Sequence, residues 1–270
     1  MSKLFLLRYD TEGTSAEEMA GFLERMVRVH RQDGIPVTLF CRGAAIDNRE
    51  PEFRAFHEEV MHDSLFDLQD HSYSLIGIGY RDGKSVEALR ADYEQSFAVH
   101  ERVFGKRPSG VSICGTGGVD GPRLSGFDET PKSRAELDML AELGIKMINT
   151  FVVGLDETRQ FTSYRVLGHP HIMGFPSGYS DTGWMHRKEH GDPMSYILSQ
   201  IQTRAEREEH MPLMLHDWVA WNRAPDRELS HVRAIADCAR AHGYTLVTHD
   251  ACYSQTTLWQ MPSSSTPTQG

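Results

Sequence analysis

No run of apolar residues in this chain approaches the roughly 20 that a membrane-spanning helix needs. Basic residues are in deficit, with 28 Lys and Arg against 38 Asp and Glu, a net charge of −10 and a pI near 5.8. A phosphate-reading surface needs a basic stripe, so this balance argues against nucleic acid or an anionic membrane as partner and for a small-molecule or sugar substrate, with an oligomer left open. Cysteine is scarce. Cys41, Cys114, Cys238 and Cys252 show no C-x-x-C spacing, which favours reduced thiols over disulfides or a structural zinc. The first apolar run meets Arg8 and Asp10 too early for a signal peptide, so a cytoplasmic protein is expected. GTGGVDG (Gly115 to Gly121) fits neither phosphate-binding glycine spacing and reads as a flexible loop.

What is present is a globular composition, 39% hydrophobic and 24% charged, in which short apolar runs alternate with amphipathic ones. Strands are expected at Leu4 to Arg8, Val37 to Phe40, Leu65 to Leu68, Gly110 to Ile113, Lys146 to Ile148, Tyr164 to Leu167, Pro212 to Leu215 and Tyr244 to Val247. Helical spacing covers Ser15 to His30, Glu52 to His62, Ser85 to Phe104, Ser133 to Leu143, Pro193 to Glu209 and Asp226 to His242. Ser15 with Glu18 forms a capping box, and Gly34, Gly105, Gly144 and Gly243 stop helices. Repeated strand-helix units over this length predict an α/β fold, a single distorted (β/α) barrel of seven to eight parallel strands, with a doubly wound open sheet as the alternative. One barrel is expected over residues 1–253, and a flexible Ser, Thr, Gln and Pro-rich tail from Ser254 to Gly270.

On that scheme the unusual polar residues collect at the carboxyl ends of strands, where parallel α/β folds build their sites. The run LFDLQDHSYSL (Leu65 to Leu75) passes from a buried strand into Asp70, His71, Ser72 and Ser74. Asp10 and Glu12 follow the first strand, Cys41 the second, Ser112 and Cys114 the fourth, Asn149 the fifth, His169 and His171 the sixth, and His216 with Asp217 the seventh. Carboxylates and histidines facing one cavity make either a metal site or an acid/base site. The long loops Gly115 to Pro131 and Gly174 to Gly191 suggest lids, and Trp184, Trp218 and Trp221 near them an aromatic floor for a sugar ring or nucleobase. His186 and His190 fall in a charged loop and read as solvated.

Four stretches, in order, resemble the polysaccharide deacetylases of carbohydrate esterase family four, with the NodB-homology fold: LLRYDTEG (Leu6 to Gly13), QDHSYSL (Gln69 to Leu75), ALRADYEQSFAVHERVFGKRPSGVS (Ala88 to Ser112) and LMLHDW (Leu213 to Trp218). The resemblance implies Asp10 as general base, Glu12 and His71 as ligands of zinc or another divalent metal, and His216 as general acid, supported by Asp181 or Asp156. It implies a hydrolase of carbohydrate metabolism that cleaves a C–N amide bond. Asp70, Ser112, Asn149, Trp184 and Trp218 are then expected to bind substrate.

Two positions depart from the family pattern. Leu75 stands where H-x-x-x-H has its second histidine, and Ser112 stands where an arginine at the end of the fourth strand orients the base. His169 or His171 could fill the vacant ligand position, as could Cys114 or Cys41. Three functions follow: N-deacetylation of an intracellular amino-sugar-type substrate, metal-independent hydrolysis of a small or cyclic amide in the manner of allantoinase-like members, and ligand binding without catalysis. Asp10 and His216, at strand ends, are expected to matter for turnover and little for folding.

Overall fold

A computed structural model describes residues 3–13, 15–78, 84–114, 127, 129–151, 161–184, 192–219, 221 and 226–255. The first strand shows how the sequence builds the fold. β1 (Lys3–Thr11) is buried on both faces, as a central strand of a parallel sheet must be. Its alternate residues Phe5, Leu7 and Tyr9 point outward into the main hydrophobic core, while Leu6 joins a smaller cluster inside the barrel. Arg8 and Asp10 share the inward face with Leu6, because side chains alternate along a strand.

β2 (Val37–Cys41), β3 (Phe66–Asp70), β4 (Gly110–Ser112), β5 (Met147–Phe151), β7 (His169–Ser177) and β8 (Met211–His216) extend the sheet in the order β6-β7-β5-β4-β3-β2-β1-β8, all parallel except β6 (Thr162–Tyr164). β9 (Tyr244–Leu246) pairs in parallel with the start of β1. The barrel is therefore distorted, and its sheet is not closed. Among the described residues no ladder joins β7 to β8; the chain just past β7 meets β8 through one bridge, Ser180 to Met214. Helices α1 (Ala16–Asp33), α3 (Glu50–Val60), α4 (Val86–Phe104), α5 (Pro131–Glu142), α7 (Pro193–Glu206) and α8 (Ser230–Ala241) cover the outside. Ser15 caps α1 by accepting the Glu18 N–H, and Gly34 ends it in the left-handed region.

Three short helices fall outside the expected pattern. α2 (Gly43–Asn48) follows β2, α6 (Asp181–Trp184) follows β7, and α9 (His249–Gln255) packs His249 between Phe40 of β2 and Phe175 of β7, with ring centroids 5.4 and 5.0 Å away. α9 thus fills the amino-terminal end of the barrel, and Ser254 and Gln255, expected in the tail, complete it. The remainder of that tail, 256–270, lies outside the described residues. The segment expected as the strand Tyr164 to Leu167 is a 3₁₀ turn (Arg165–Leu167) joining β6 to β7 as an antiparallel pair. Glycines 174 and 178 belong to β7 and its bridge to α6, so the expected loop from Gly174 is structured as far as Trp184. No helix among the described residues is long and apolar enough to cross a membrane.

Candidate active site

Parallel register places Asp10 of β1 directly beside His216 of β8. Both face the barrel mouth at the carboxyl end of the sheet, and both are buried. Each is held by its own partner. The Ser112 hydroxyl donates to Asp10 Oδ2 at 2.9 Å, and Arg8 Nε lies 3.3 Å from Asp10 Oδ1. Burial pushes the Asp10 carboxyl up, but Arg8, His71, His216 and the Ser112 hydroxyl outweigh it and hold the group below the usual carboxylate range.

His216 is oriented by Asp181. One carboxylate oxygen accepts the His216 backbone N–H at 2.7 Å, and the other accepts from Nδ1 at 2.6 Å. The Ser180–Met214 bridge is what carries Asp181 alongside the end of β8. Of the two carboxylates expected to support this histidine, Asp181 is therefore in place, and Asp156 lies outside the described residues. Burial pulls the His216 imidazole down, while Asp181, then Asp10 and Glu12, raise it above its ordinary value.

Glu12 follows Thr11 and returns to the mouth. Asp217 pins this turn by accepting the backbone N–H groups of Glu12 and Gly13 at 3.1 and 2.8 Å. Gly13 permits the close approach, since a Cβ there would lie 2.6 Å from Asp217 Oδ2. Burial raises the Asp217 carboxyl to about 6, against the pull of those two N–H groups. Glu12 Oε2 accepts the Trp218 indole N–H at 3.0 Å, and Oε1 lies 3.1 Å from His71 Nε2. Trp218, expected in a substrate floor, thus holds Glu12 and tilts against His216 at 5.3 Å.

His71 has acceptors on both sides. Nδ1 lies 2.8 Å from the Ser112 carbonyl, and Nε2 faces the Glu12 carboxylate, with Asp10 Oδ2 3.7 Å away. A carbonyl and a carboxylate both demand a donor, so the geometry calls for a proton on each nitrogen. Burial opposes that charge, but Cys114, Asp10 and Glu12 carry the imidazole well above its ordinary value. The Cys114 sulfur lies 3.6 Å from Nε2 and 3.7 Å from Nδ1.

Several expected residues are elsewhere. Asp70 faces outward from β3, because it is odd in register with His71: it accepts from the Ser96 hydroxyl of α4, lies 3.3 Å from His100 Nε2 and accepts the Ser72 N–H at 2.7 Å. It is a fully buried strut between sheet and helix, not a mouth residue. His169 and His171 open β7 at the amino-terminal end. His169 binds Asp138 of α5 at 2.7 Å and His171 is exposed, so neither can reach Glu12 and His71. The apolar run before them has the hydrophobicity of a strand but forms the 3₁₀ turn, so the two histidines open a strand rather than follow one. Cys41 is buried in the outer core, its thiol toward the Leu39 carbonyl. Trp221 packs against Gly21 of α1. The Trp184 side chain, His186 and His190 lie outside the described residues. Asn149 is in register with Ser112, fully buried, and neither polar atom of its side chain has a hydrogen-bond partner among the described residues.

Leu75 does not sit one helical turn beyond His71. The segment after β3 is irregular, with Ser72 and Leu75 both left-handed (φ 58° and 61°). Among the described residues no three His, Cys, Asp or Glu side chains are grouped to hold a metal ion. Glu12 and His71 close on each other, and Asp10 is committed to Arg8 and Ser112. Among the described residues the donor set does not fit a tightly held divalent ion.

Sequence reasoning missed Arg8 and the anchoring role of Asp217. A lone arginine inside an apolar strand, two residues before Asp10 and therefore on its face, was the available signal.

No protein-family model and no curated protein matches the chain by sequence. Solved structures do match. A candidate polysaccharide deacetylase from Mycobacterium smegmatis is similar at a TM-score of 0.68 and 12% identity, over 99% of this chain and 95% of that one. A family 4 acetyl xylan esterase from Clostridium thermocellum, solved with a cobalt ion, has a TM-score of 0.53 at 14% identity over 93% and 91%. A CE4 family pseudoenzyme from Bacillus anthracis has a TM-score of 0.56 at 11% identity over 93% and 66%.

Proposed function

We propose that this chain, which has the fold of the carbohydrate esterase family four deacetylases that its four motifs resemble, is a hydrolase of C–N amide bonds. Asp10 is the general base and His216 the general acid. The observation that carries the reading is their pairing in register at the mouth, each held in the protonation state its role requires. Asp10 is held below the usual carboxylate range and can take a proton from water; Asp181 raises the His216 imidazole above its ordinary value, which favours the form that can give a proton to the leaving nitrogen. Water attack on an amide carbonyl generates an oxyanion, and the His71 imidazolium between Asp10 and Glu12 is a positive charge at the mouth available to stabilise it. Since the donors do not fit a metal ion, no step passes through one.

An N-acetylated amino-sugar-type substrate of the cytoplasm is the leading reading, and a small or cyclic amide the second. The cationic His71 favours the second, because it supplies in the protein's own atoms the charge that a divalent ion would otherwise supply. The test is turnover of N-acetylated sugars and cyclic amides, before and after dialysis against a chelator. Release of amine or ring opening that survives chelation is expected. Failure on every amide would leave a protein that only binds its ligand.

A further inference from the structure

A buried guanidinium needs a reason. Arg8 is 1% exposed, inside the barrel, one level below the mouth. Its Nη2 meets the Met214 sulfur at 2.8 Å, its guanidinium carbon lies 5.5 Å over the Phe40 ring, and Nη1 has no hydrogen-bond partner among the described residues. Among the described residues, the one carboxylate within ion-pair distance is Asp10, at 3.3 Å from Nε. Arginine buries well when it makes a bidentate fork with its fixed donors; here most of them are unspent. Replacing such a poorly satisfied buried pair with apolar groups of similar volume is often neutral or stabilising, so the contact is not explained by what it adds to the fold.

We infer that Arg8 is a positioning residue for Asp10. This rests on the reading of Asp10 as the base. The carboxylate is gripped from two sides: Ser112 bonds Oδ2 from β4, and Arg8 approaches Oδ1 from the same strand, two residues earlier. The two contacts divide the labour. Ser112 fixes one oxygen by a directional bond, while Arg8 holds the other by charge from beneath, where water and substrate do not reach. Because Arg8 and Asp10 are neighbours on one face of β1, their separation is set by the strand repeat and does not depend on any loop. The base is thereby kept aimed at the mouth beside His216.

The test compares the wild type with Arg8→Met and Arg8→Lys. Methionine fills similar volume beside Met214 and Phe40 without charge. Arg8→Met removes one partner of the buried pair and is expected to lower the denaturation midpoint, to lower kcat on the order of 10²-fold, and to leave KM within about twofold. Its crystal structure should show Asp10 Oδ1 turned from the wild-type position. Arg8→Lys should recover part of kcat and return Asp10 toward its place. Wild-type kcat in Arg8→Met, or a loss of activity with Asp10 unmoved, overturns the inference. Should Arg8→Met fail to fold, Arg8→Lys decides: a severalfold lower kcat with Asp10 displaced supports the inference, and unchanged kcat with Asp10 in place overturns it. If the wild type hydrolyses no amide, the proposed function fails by itself, and the position of Asp10 in the two variants still tests the hold of Arg8.

Discussion

Asp181→Asn is the perturbation that separates an acid/base mechanism from a merely well-packed mouth. Asp181 is buried and both of its oxygens meet His216, one accepting the backbone N–H at 2.7 Å and the other accepting from Nδ1 at 2.6 Å together with the Thr182 N–H at 2.7 Å. Asparagine keeps a carbonyl for the backbone N–H, but it turns an NH₂ toward Nδ1. That group now has to accept, and the imidazolium loses its counter-charge. A hydrogen bond to a charged group contributes about 1.5–3 kcal/mol, and about 1.4 kcal/mol corresponds to one pKa unit. The alkaline limb of the kcat profile, which follows the protonated acid, should therefore move down by roughly 1–2 pH units. At neutral pH the variant loses on the order of 10- to 100-fold. In mild acid it recovers part of that loss, because Asp10 stays ionised below the usual carboxylate range. Stability shifts in the same sense. A histidine whose pKa is raised in the folded state adds stability that is full at low pH and is lost as pH rises through the folded value. The deficit of Asp181→Asn should thus be larger at pH 5 than at pH 9. Measured pH–rate profiles together with ¹⁵N shifts of the His216 ring decide the matter. A limb that does not move, or a loss equal at every pH, would refute Asp181 as the group that sustains the acid.

Asp10→Asn should abolish most turnover, by at least the roughly 10²-fold of an acid/base group, and should also cost about 3–5 kcal/mol because Arg8 is left buried without its counter-charge; equilibrium denaturation reads the second effect, and a wild-type midpoint would contradict it. That second effect runs against the expectation that Asp10 matters little for folding. Ser72→Gly should stabilise the protein by about 1 kcal/mol, since it relieves a left-handed φ of 58° and removes a buried hydroxyl that has no hydrogen-bond partner among the described residues; a lower thermal midpoint would count against the strain argument. Burial raises the Asp67 carboxyl to about 6, so it favours the folded state at low pH and that advantage is lost as pH rises through 6. The stability difference between wild type and Asp67→Asn should accordingly change by up to roughly 3 kcal/mol between pH 4 and pH 7, and a difference independent of pH would place Asp67 in an ordinary ionised state.

Read as a string, the chain determined its repeating architecture. Hydrophobic runs of strand length, amphipathic stretches, a capping box at Ser15 and stop glycines are local signals, and each acts where it stands in the sequence. They placed seven of the eight expected strands correctly to within a few residues, and they put Asp10, Glu12, His71, Ser112, Asn149 and His216 at carboxyl ends. The one misplaced strand misled about His169 and His171, since a 3₁₀ turn and a short strand look alike in hydrophobicity. Tertiary structure decided the rest, because it depends on register and on which face of a strand a side chain occupies. Asp70 and His71 are adjacent in sequence, yet they face opposite sides of β3: one braces α4 and the other enters the mouth. Arg8 and Asp10 are separated by one residue and therefore share a face. Asp181 meets His216 across 35 positions of sequence, through a single bridge between strands, and no local pattern could choose it over Asp156. Composition and periodicity are properties of the chain alone, but the partner that sets the charge of a histidine or a carboxylate is chosen only when the strands pair.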